Sequence, residues 1–295
     1  MIRDINYWLS EHPAIVGFRW STDQLFGSTW YFLICSLSIY FLSAMALHLI
    51  LSLFNRQRPI PLGPIPALHS LLMAMVSGVI FLGILLSTVA EIRDTRWAWR
   101  GRTHNSPIQW LLCFPPGTRP SGRVFFWSYA FYLSRFLHLF RAYFAILRRR
   151  QAPVARVFSH GALVAMSFLW LEFSQSFQVL AILSTTLAYA VVFGYRFWAG
   201  VGLPVATGSA PVVLGCQFLM LFCNFFCHFG FLFMHFGKGG CSGIGAWIVN
   251  SMLNGMFLGA FLHFYGKRDH EYGSNYGKYW VLRDKTDEEK KKKIK

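Results

Sequence analysis

The chain has 295 residues, of which 55% are hydrophobic, 18% aromatic and only 14% charged. A soluble domain carries roughly a quarter of its residues as Asp, Glu, Lys and Arg, so a soluble globular fold is excluded, and disorder or a coiled coil with it. Six cysteines are too few for a disulfide framework and form no C-x-x-C pair of the zinc or thiol-redox kind, so the formal charge of +16 needs an explanation within a membrane.

The amino-terminal MIRDINYWLSEHP has acids and no apolar core after Arg3, which predicts a retained segment, 1–28, and not a cleaved signal peptide. A helix needs about 20 apolar residues to cross the hydrocarbon. Seven such stretches follow, bounded by charge or proline: Thr29 to Phe54, Ala67 to Val89, Val124 to Leu147, Phe158 to Gln175, Gln178 to Trp198, Pro211 to Phe236 and Ile244 to Tyr265. They predict an all-α polytopic protein with a membrane domain over 29–265 and a basic tail over 266–295. The fourth and fifth stretches are joined by almost no loop and form a tight hairpin.

Cytosolic loops are enriched in Lys and Arg. A luminal amino terminus places Arg56, Arg58, Arg148, Arg149, Arg150, Arg156, Arg196 and the tail on the cytosolic side, the larger share of the basic residues. Arg93, Arg96, Arg100, Arg102, Arg119 and Arg123 then fall in a luminal loop, against that trend. Lys292 and Lys293 stand fourth and third from the end, the arrangement of a dilysine signal for retrieval to the endoplasmic reticulum; a solvated basic tail beside anionic lipid reads equally from the same run. The basic residues follow topology and no nucleic-acid module accompanies them, so nucleic acid is not expected as a partner. In this topology Cys113 and Cys241 share the luminal, oxidising side, and a bridge between them is expected, two separate thiols being the alternative. Cys35, Cys216, Cys223 and Cys227 lie within spans and read as packing residues.

An ionisable side chain at membrane depth costs roughly 2.5 to 3.5 kcal/mol, so each needs a partner or a task. Counted at about 1.5 Å per residue from the cytosolic end, Arg135 lies roughly 18 Å deep and Glu172 roughly 21 Å, which predicts an ion pair between them. Ser134, His138 and Arg141 share one face of the third span, and Glu172, Gln175 and Ser176 one face of the fourth. The two stripes either line a cavity, together with Asn224 and Asn254, or hold the bundle together by interhelical hydrogen bonds. His48, His160, His228, His235 and His263 form no tight cluster and no metal-ligand spacing.

FWSYAFYLSRFLHLFRAYFAILRRR (126–150), FLWLEFSQSFQVLAILSTTLAYAVVFGYRFW (168–198) and GCSGIGAW (240–247) resemble the ELO family of fatty acid elongases, most closely its plant elongase-like branch. The resemblance covers all seven spans. It implies a seven-helix protein of the endoplasmic reticulum membrane, enclosing an acyl tunnel. It also implies the condensing step of very-long-chain fatty acid synthesis, in which malonyl-CoA and a long acyl-CoA are joined with loss of carbon dioxide. No cofactor is implied; the partners are the two CoA thioesters, the bilayer and the other enzymes of the elongation cycle, and homodimerisation is left open.

The family's histidine box, His-x-x-His-His, falls on Trp170, Leu171, Glu172, Phe173 and Ser174, with no histidine retained. The family's Glu and Asp-Thr align with His138, Arg141 and Ala142, and its later histidine with Tyr189; Ser134, Arg135 (for lysine) and Gln217 carry over. Two readings stay open. In the first the site is rebuilt, with His138 as the nucleophilic or acid-base group, Arg135 and Arg141 stabilising an oxyanion or carboxylate, and Glu172 orienting them. Ser134, Tyr189, Gln217, Asn224 and Asn254 then bind substrate. In the second, catalysis is lost and the bundle is a lipid-binding partner. Arg148, Arg149, Arg150, Arg196, Lys267 and Arg268 are candidates for CoA phosphates, or simply the positive-inside bias. A transporter is disfavoured, since no interrupted paired segments are present.

Overall fold

The computed structural model describes residues 2–54, 60–98, 107–148, 153–202, 209–237, 239–256 and 258–259. The tail over 266–295, with Lys267, Arg268, Lys292 and Lys293, and the loop residues Arg56, Arg58, Arg100, Arg102, Arg149 and Arg150 lie outside them. All regular elements among the described residues are helices. Helices satisfy every backbone polar group within the segment, as a hydrocarbon surrounding requires.

In chain order these are α1 (Ile2–Asn6), a π-helical turn (Tyr7–Glu11), α2 (Pro13–Val16), α3 (Trp30–Leu53), α4 (Ile65–Ala98), α5 (Pro107–Leu112), α6 (Arg123–Leu147), α7 (Pro153–Glu172), α8 (Gln178–Gly200) and α9 (Ser209–Gly237). A first compact unit runs over Met1–Val249, ending in helical residues 244–249; a second, Asn250–Lys295, begins with helical residues 250–256. Asn254 belongs to the second.

Among the described residues, five segments are long and apolar enough to cross a bilayer: Trp30–Leu53, Ile65–Asp94, Val154–Glu172, Gln178–Gly200 and Val212–Gly237. The protein is therefore an all-helical membrane protein. The expected third span corresponds to α6, whose 25 residues suffice in length but include Arg135, His138 and Arg141. The expected seventh is helical over 244–256, and its last residues lie outside those described. Helix boundaries differ from expectation, most at the end of α4 and the start of α7. Helix α4 continues past Val89 through Glu91, Arg93 and Asp94, because charge ends a hydrocarbon span without ending a helix, and Asp94 Oδ2 accepts from Arg123 Nη1 at 2.6 Å. Helix α7 starts at Pro153, earlier than Phe158, proline being suited to a first helical turn.

The least apolar long helix sits at the centre. α6 packs against α3, α4, α7 and α8, and it buries Phe131, Tyr132, Ser134, Arg135, His138 and Ala142. Polar groups that would be costly against lipid are turned inward. By contrast α9 shows Phe218, Phe222, Phe229 and Phe233 on the surface, where acyl tails solvate them. Close approach to α6 depends on Gly83 of α4: the Trp127 indole occupies the space a Cβ there would take.

Residues 6–28 fold back onto one end of the bundle. Trp127 Nε1 donates to Leu9 O at 2.9 Å, Tyr129 Oη to Phe26 O at 2.9 Å and Tyr132 Oη to Gly27 O at 2.8 Å. At the same end Cys113 and Cys241 form a disulfide, with Cα atoms 5.1 Å apart. Beside it Ser176 Oγ accepts from Phe114 N at 3.0 Å and donates to Ser242 O at 2.7 Å, closing the α7–α8 turn against both flanks of the bridge.

Candidate functional site

On α6, Phe131, Ser134, Arg135, His138 and Arg141 recur every three or four residues and share a face. That face meets α7 through His160 and α8 through Tyr189 and Phe193. The His138 ring lies 4.8 Å from Tyr189, 5.3 Å from Phe193 and 6.3 Å from His160, between ring centroids. Nearby, His69 of α4 donates from Nε2 to Leu137 O at 2.9 Å, which fixes its tautomer, since a carbonyl can only accept.

Arg135 is 1% exposed and His138 2%. Arg135 donates from Nη2 to Ser134 Oγ at 3.0 Å and from Nε to Phe131 O at 3.4 Å. Its guanidinium lies 4.0 Å from the Phe131 ring centroid and 5.1 Å from that of Tyr189, so the aromatic faces supply part of what a counter-charge would. Its Nη1 and both ring nitrogens of His138 make no hydrogen bond to the protein, and neither does Nδ1 of His160. Buried polar groups are as a rule satisfied, so four nitrogens without a protein partner, contributed by two neighbouring helices, make this face the candidate site.

The expected ion pair is not formed. Glu172 accepts from Trp20 Nε1 at 2.9 Å and Trp30 Nε1 at 3.3 Å, and no described acidic side chain forms an ion pair with Arg135. The depth count does not hold, because α7 begins five residues before Phe158: Glu172 lies about 28 Å from the end where α6 stops and α7 starts, and Arg135 about 18 Å, so Glu172 meets the amino-terminal segment while Arg135 is held over Phe131. Glu172 therefore does not orient Arg135 or His138. Nor do Gln175 and Ser176 form a helical stripe with it, because α7 ends at Glu172 and the chain turns at Ser174 with φ 45°.

Arg141 and Arg196 flank the same Phe193 ring that meets His138, with guanidinium carbons 4.7 Å and 5.7 Å from its centroid, on the side of the end that carries Arg148. Gln217 and Asn224 are exposed on α9. His160 is the residue that sequence reasoning passed over. Its signal is depth: it lies about as far after the start of α7 as His138 lies before the end of α6.

A model of the ELO family, the GNS1/SUR4 family, matches residues 25–275 of the chain. A protein of Arabidopsis thaliana named "Fatty acid elongase 3-like" is 59% identical over 268 residues, covering 90% of this chain and 92% of that one. A protein of Dictyostelium discoideum carrying a provisional fatty acid elongase name is 22% identical over 153 residues, covering 52% and 48% of the two chains. No solved structure gives a significant match. On the length of the family match and the identity to the Arabidopsis protein, the chain belongs to the ELO family of fatty acid elongases.

Proposed function

We propose that the protein is a condensing enzyme of very-long-chain fatty acid synthesis, a 3-oxoacyl-CoA synthase that joins malonyl-CoA to a long-chain acyl-CoA. It acts in the endoplasmic reticulum membrane with its amino terminus luminal and its carboxyl terminus cytosolic. Seven spans, α6 and the helix beginning at residue 244 among them, enclose an acyl tunnel. It needs no cofactor, works beside the other enzymes of the cycle, and meets CoA phosphates through Arg148, Arg149, Arg196, Lys267 and Arg268.

The observation that carries this reading is the buried Arg135 guanidinium with an unanswered N–H beside an imidazole with two unanswered nitrogens. Loss of carbon dioxide from the malonyl thioester leaves an enolate, which attacks the acyl thioester carbonyl, forms the new carbon–carbon bond and expels the CoA thiolate. The negative charge passes from carboxylate to enolate oxygen to tetrahedral oxyanion. A fixed guanidinium in a dry site stabilises each of these. His138 supplies the proton carrier that the departing thiolate requires, and the His160 ring lies 6.3 Å from it between centroids. Tyr189 and Ser134 shape the same wall.

The absence of histidine from 170–174, where Trp170 and Ser174 stand, favours a second reading, a non-catalytic lipid-binding member of the elongation complex. The deciding experiment uses full-length protein in nanodiscs with radiolabelled malonyl-CoA and a series of acyl-CoAs. Wild type is expected to form labelled 3-oxoacyl-CoA, and His138→Ala to lower the rate by about 10²–10⁴-fold. Product that survives the substitution removes His138 from the mechanism; no product from wild type with any acyl-CoA leaves the non-catalytic reading.

A further inference from the structure

One face of α8 runs from the histidine cluster to a second group of orphaned atoms. Gln178, Ile182, Thr186, Tyr189 and Phe193 recur at helical spacing on that face, and Gln178 and Tyr189 are about 16 Å apart along the axis. Gln178 opens α8, and Gln175 stands in the turn before it. Both are 0% exposed. The oxygen and nitrogen of both side-chain amides, and Nε1 of Trp170, make no hydrogen bond to the protein.

This orphaning is particular to these side chains and not to the turn, since Ser176 between them is paired twice. Gln175 is also closely confined. A Cβ at Gly243 would stand 3.0 Å from Gln175 Oε1 and 2.8 Å from its Cα, so only glycine lets that loop lie against the amide. An aromatic wall joins the two sites. Arg135 lies on Phe131, Phe131 stacks on Trp170 at 5.9 Å, and Trp170 meets Phe177 edge-on at 6.1 Å. Along α8, Ile182 and Thr186, both fully buried, separate the ends, and the Thr186 hydroxyl is taken by its own backbone at Ile182 O.

We infer that Gln175, Gln178 and the Trp170 indole N–H form a binding site for a hydroxyl group at the far end of the acyl chain. The preferred acyl substrate therefore carries a terminal hydroxyl. The chemistry of the donors selects it: two carboxamides and an indole offer donors and acceptors without charge, which suits a neutral group able both to give and to accept. A methyl terminus leaves all of them unanswered, the case in which buried polar sites discriminate most strongly. The inference rests on the proposed acyl-CoA reading, with the reacting carbonyl at His138 and the chain entering between α8 and the Phe131–Trp170 wall, where the buried Ile182 and Thr186 part to admit it.

The test measures equilibrium binding, without malonyl-CoA, to the full-length protein in nanodiscs. Displacement of a radiolabelled saturated long-chain acyl-CoA is compared for the unlabelled compound and for the same compound with a terminal hydroxyl. Wild type is expected to bind the hydroxylated form about 10- to 100-fold more tightly, the contribution of one or two neutral hydrogen bonds. Gln178→Met, close in volume and with no hydrogen on the side-chain terminus to donate, is expected to bring the ratio near one, and Gln175→Met to lower it. Should Gln175→Met fail to fold against Gly243, Gln178→Met alone decides. Equal affinities in wild type, a ratio unchanged by Gln178→Met, or a cryo-electron microscopy map with ordered water only at the amides and the hydroxyl elsewhere would each overturn the site. A preference retained by a protein that forms no condensed product sinks the condensing step and leaves the site; product formed with no preference does the reverse.

Discussion

The two ends of α6 treat polar groups in opposite ways. At the end where residues 6–28 fold back, Trp127, Tyr129 and Tyr132 each find a backbone carbonyl, Glu172 takes two indole N–H groups, and Ser176 is paired on both sides of the disulfide. Around His138, a few turns along the same helix, Arg135, His138 and His160 keep nitrogens with no protein partner. Both regions are aromatic and mostly buried, so composition does not separate them. The difference is one of satisfaction. Apart from the orphaned amides of Gln175 and Gln178 and the Trp170 indole, the first region spends its polar groups on holding the fold, whereas the second keeps hydrogen-bonding capacity unspent, as the proposed binding role requires.

The sharpest way to break this contrast is Arg135→Met. Replacing a buried charge that lacks a counter-ion by an apolar side chain of similar volume is stabilising by about 1–4 kcal/mol in comparable settings. Thermal denaturation in nanodiscs should therefore rise while condensation falls at least a hundred-fold. A lower midpoint would place Arg135 among the holding residues and undo the comparison. The paired end predicts the reverse. Cys113→Ser with Cys241→Ser, opening a loop of 128 residues, should cost about 2–5 kcal/mol. Condensation measured well below the lowered midpoint should stay within two- or threefold, roughly the margin expected where no reacting group is touched.

Glu172 tests the boundary between the regions. Glu172→Leu strands two indole N–H groups and should cost about 2 kcal/mol, whereas Glu172→Gln keeps one acceptor oxygen and should cost about half of that. Equal losses from both would mean that the Trp20 and Trp30 bonds contribute little. A shift in the pH dependence of condensation with Glu172→Gln would return this carboxylate to the chemistry from which the geometry removes it.

Five of the expected spans were legible because a bilayer imposes one length and one composition on every crossing helix, and the inward face of α6 because Ser134, His138 and Arg141 repeat at helical spacing. Depth was legible only where the helix start was: α7 begins at Pro153 and not near Phe158, which carries Glu172 about 10 Å beyond the level of Arg135. Azimuth was not legible. Rise per residue fixes height along a helix, while the neighbour a side chain meets depends on packing, and Glu172 meets indoles 152 and 142 residues away in sequence. The fold-back of residues 6–28 was hidden for a related reason: it is held by side chains donating to Leu9, Phe26 and Gly27 carbonyls, and backbone acceptors carry no sequence signature. His160 was missed because clustering was sought in sequence, whereas α6 and α7 return antiparallel and bring level positions together.

The smallest effect separates a bond from the ring that makes it. Trp127→Phe deletes the N–H donated to Leu9 O but keeps an aromatic ring against Gly83, so it should cost only about 1 kcal/mol. The loss should be local, because Ser87 Oγ also donates to Leu9 O, at 3.2 Å, and that carbonyl keeps one partner. Hydrogen–deuterium exchange should rise in the turn Tyr7–Glu11 and not in α7 or α8. Faster exchange spreading to the helices around His138 would mean that the two ends are mechanically coupled, and that the satisfied end positions the unsatisfied one instead of merely closing the bundle beside it.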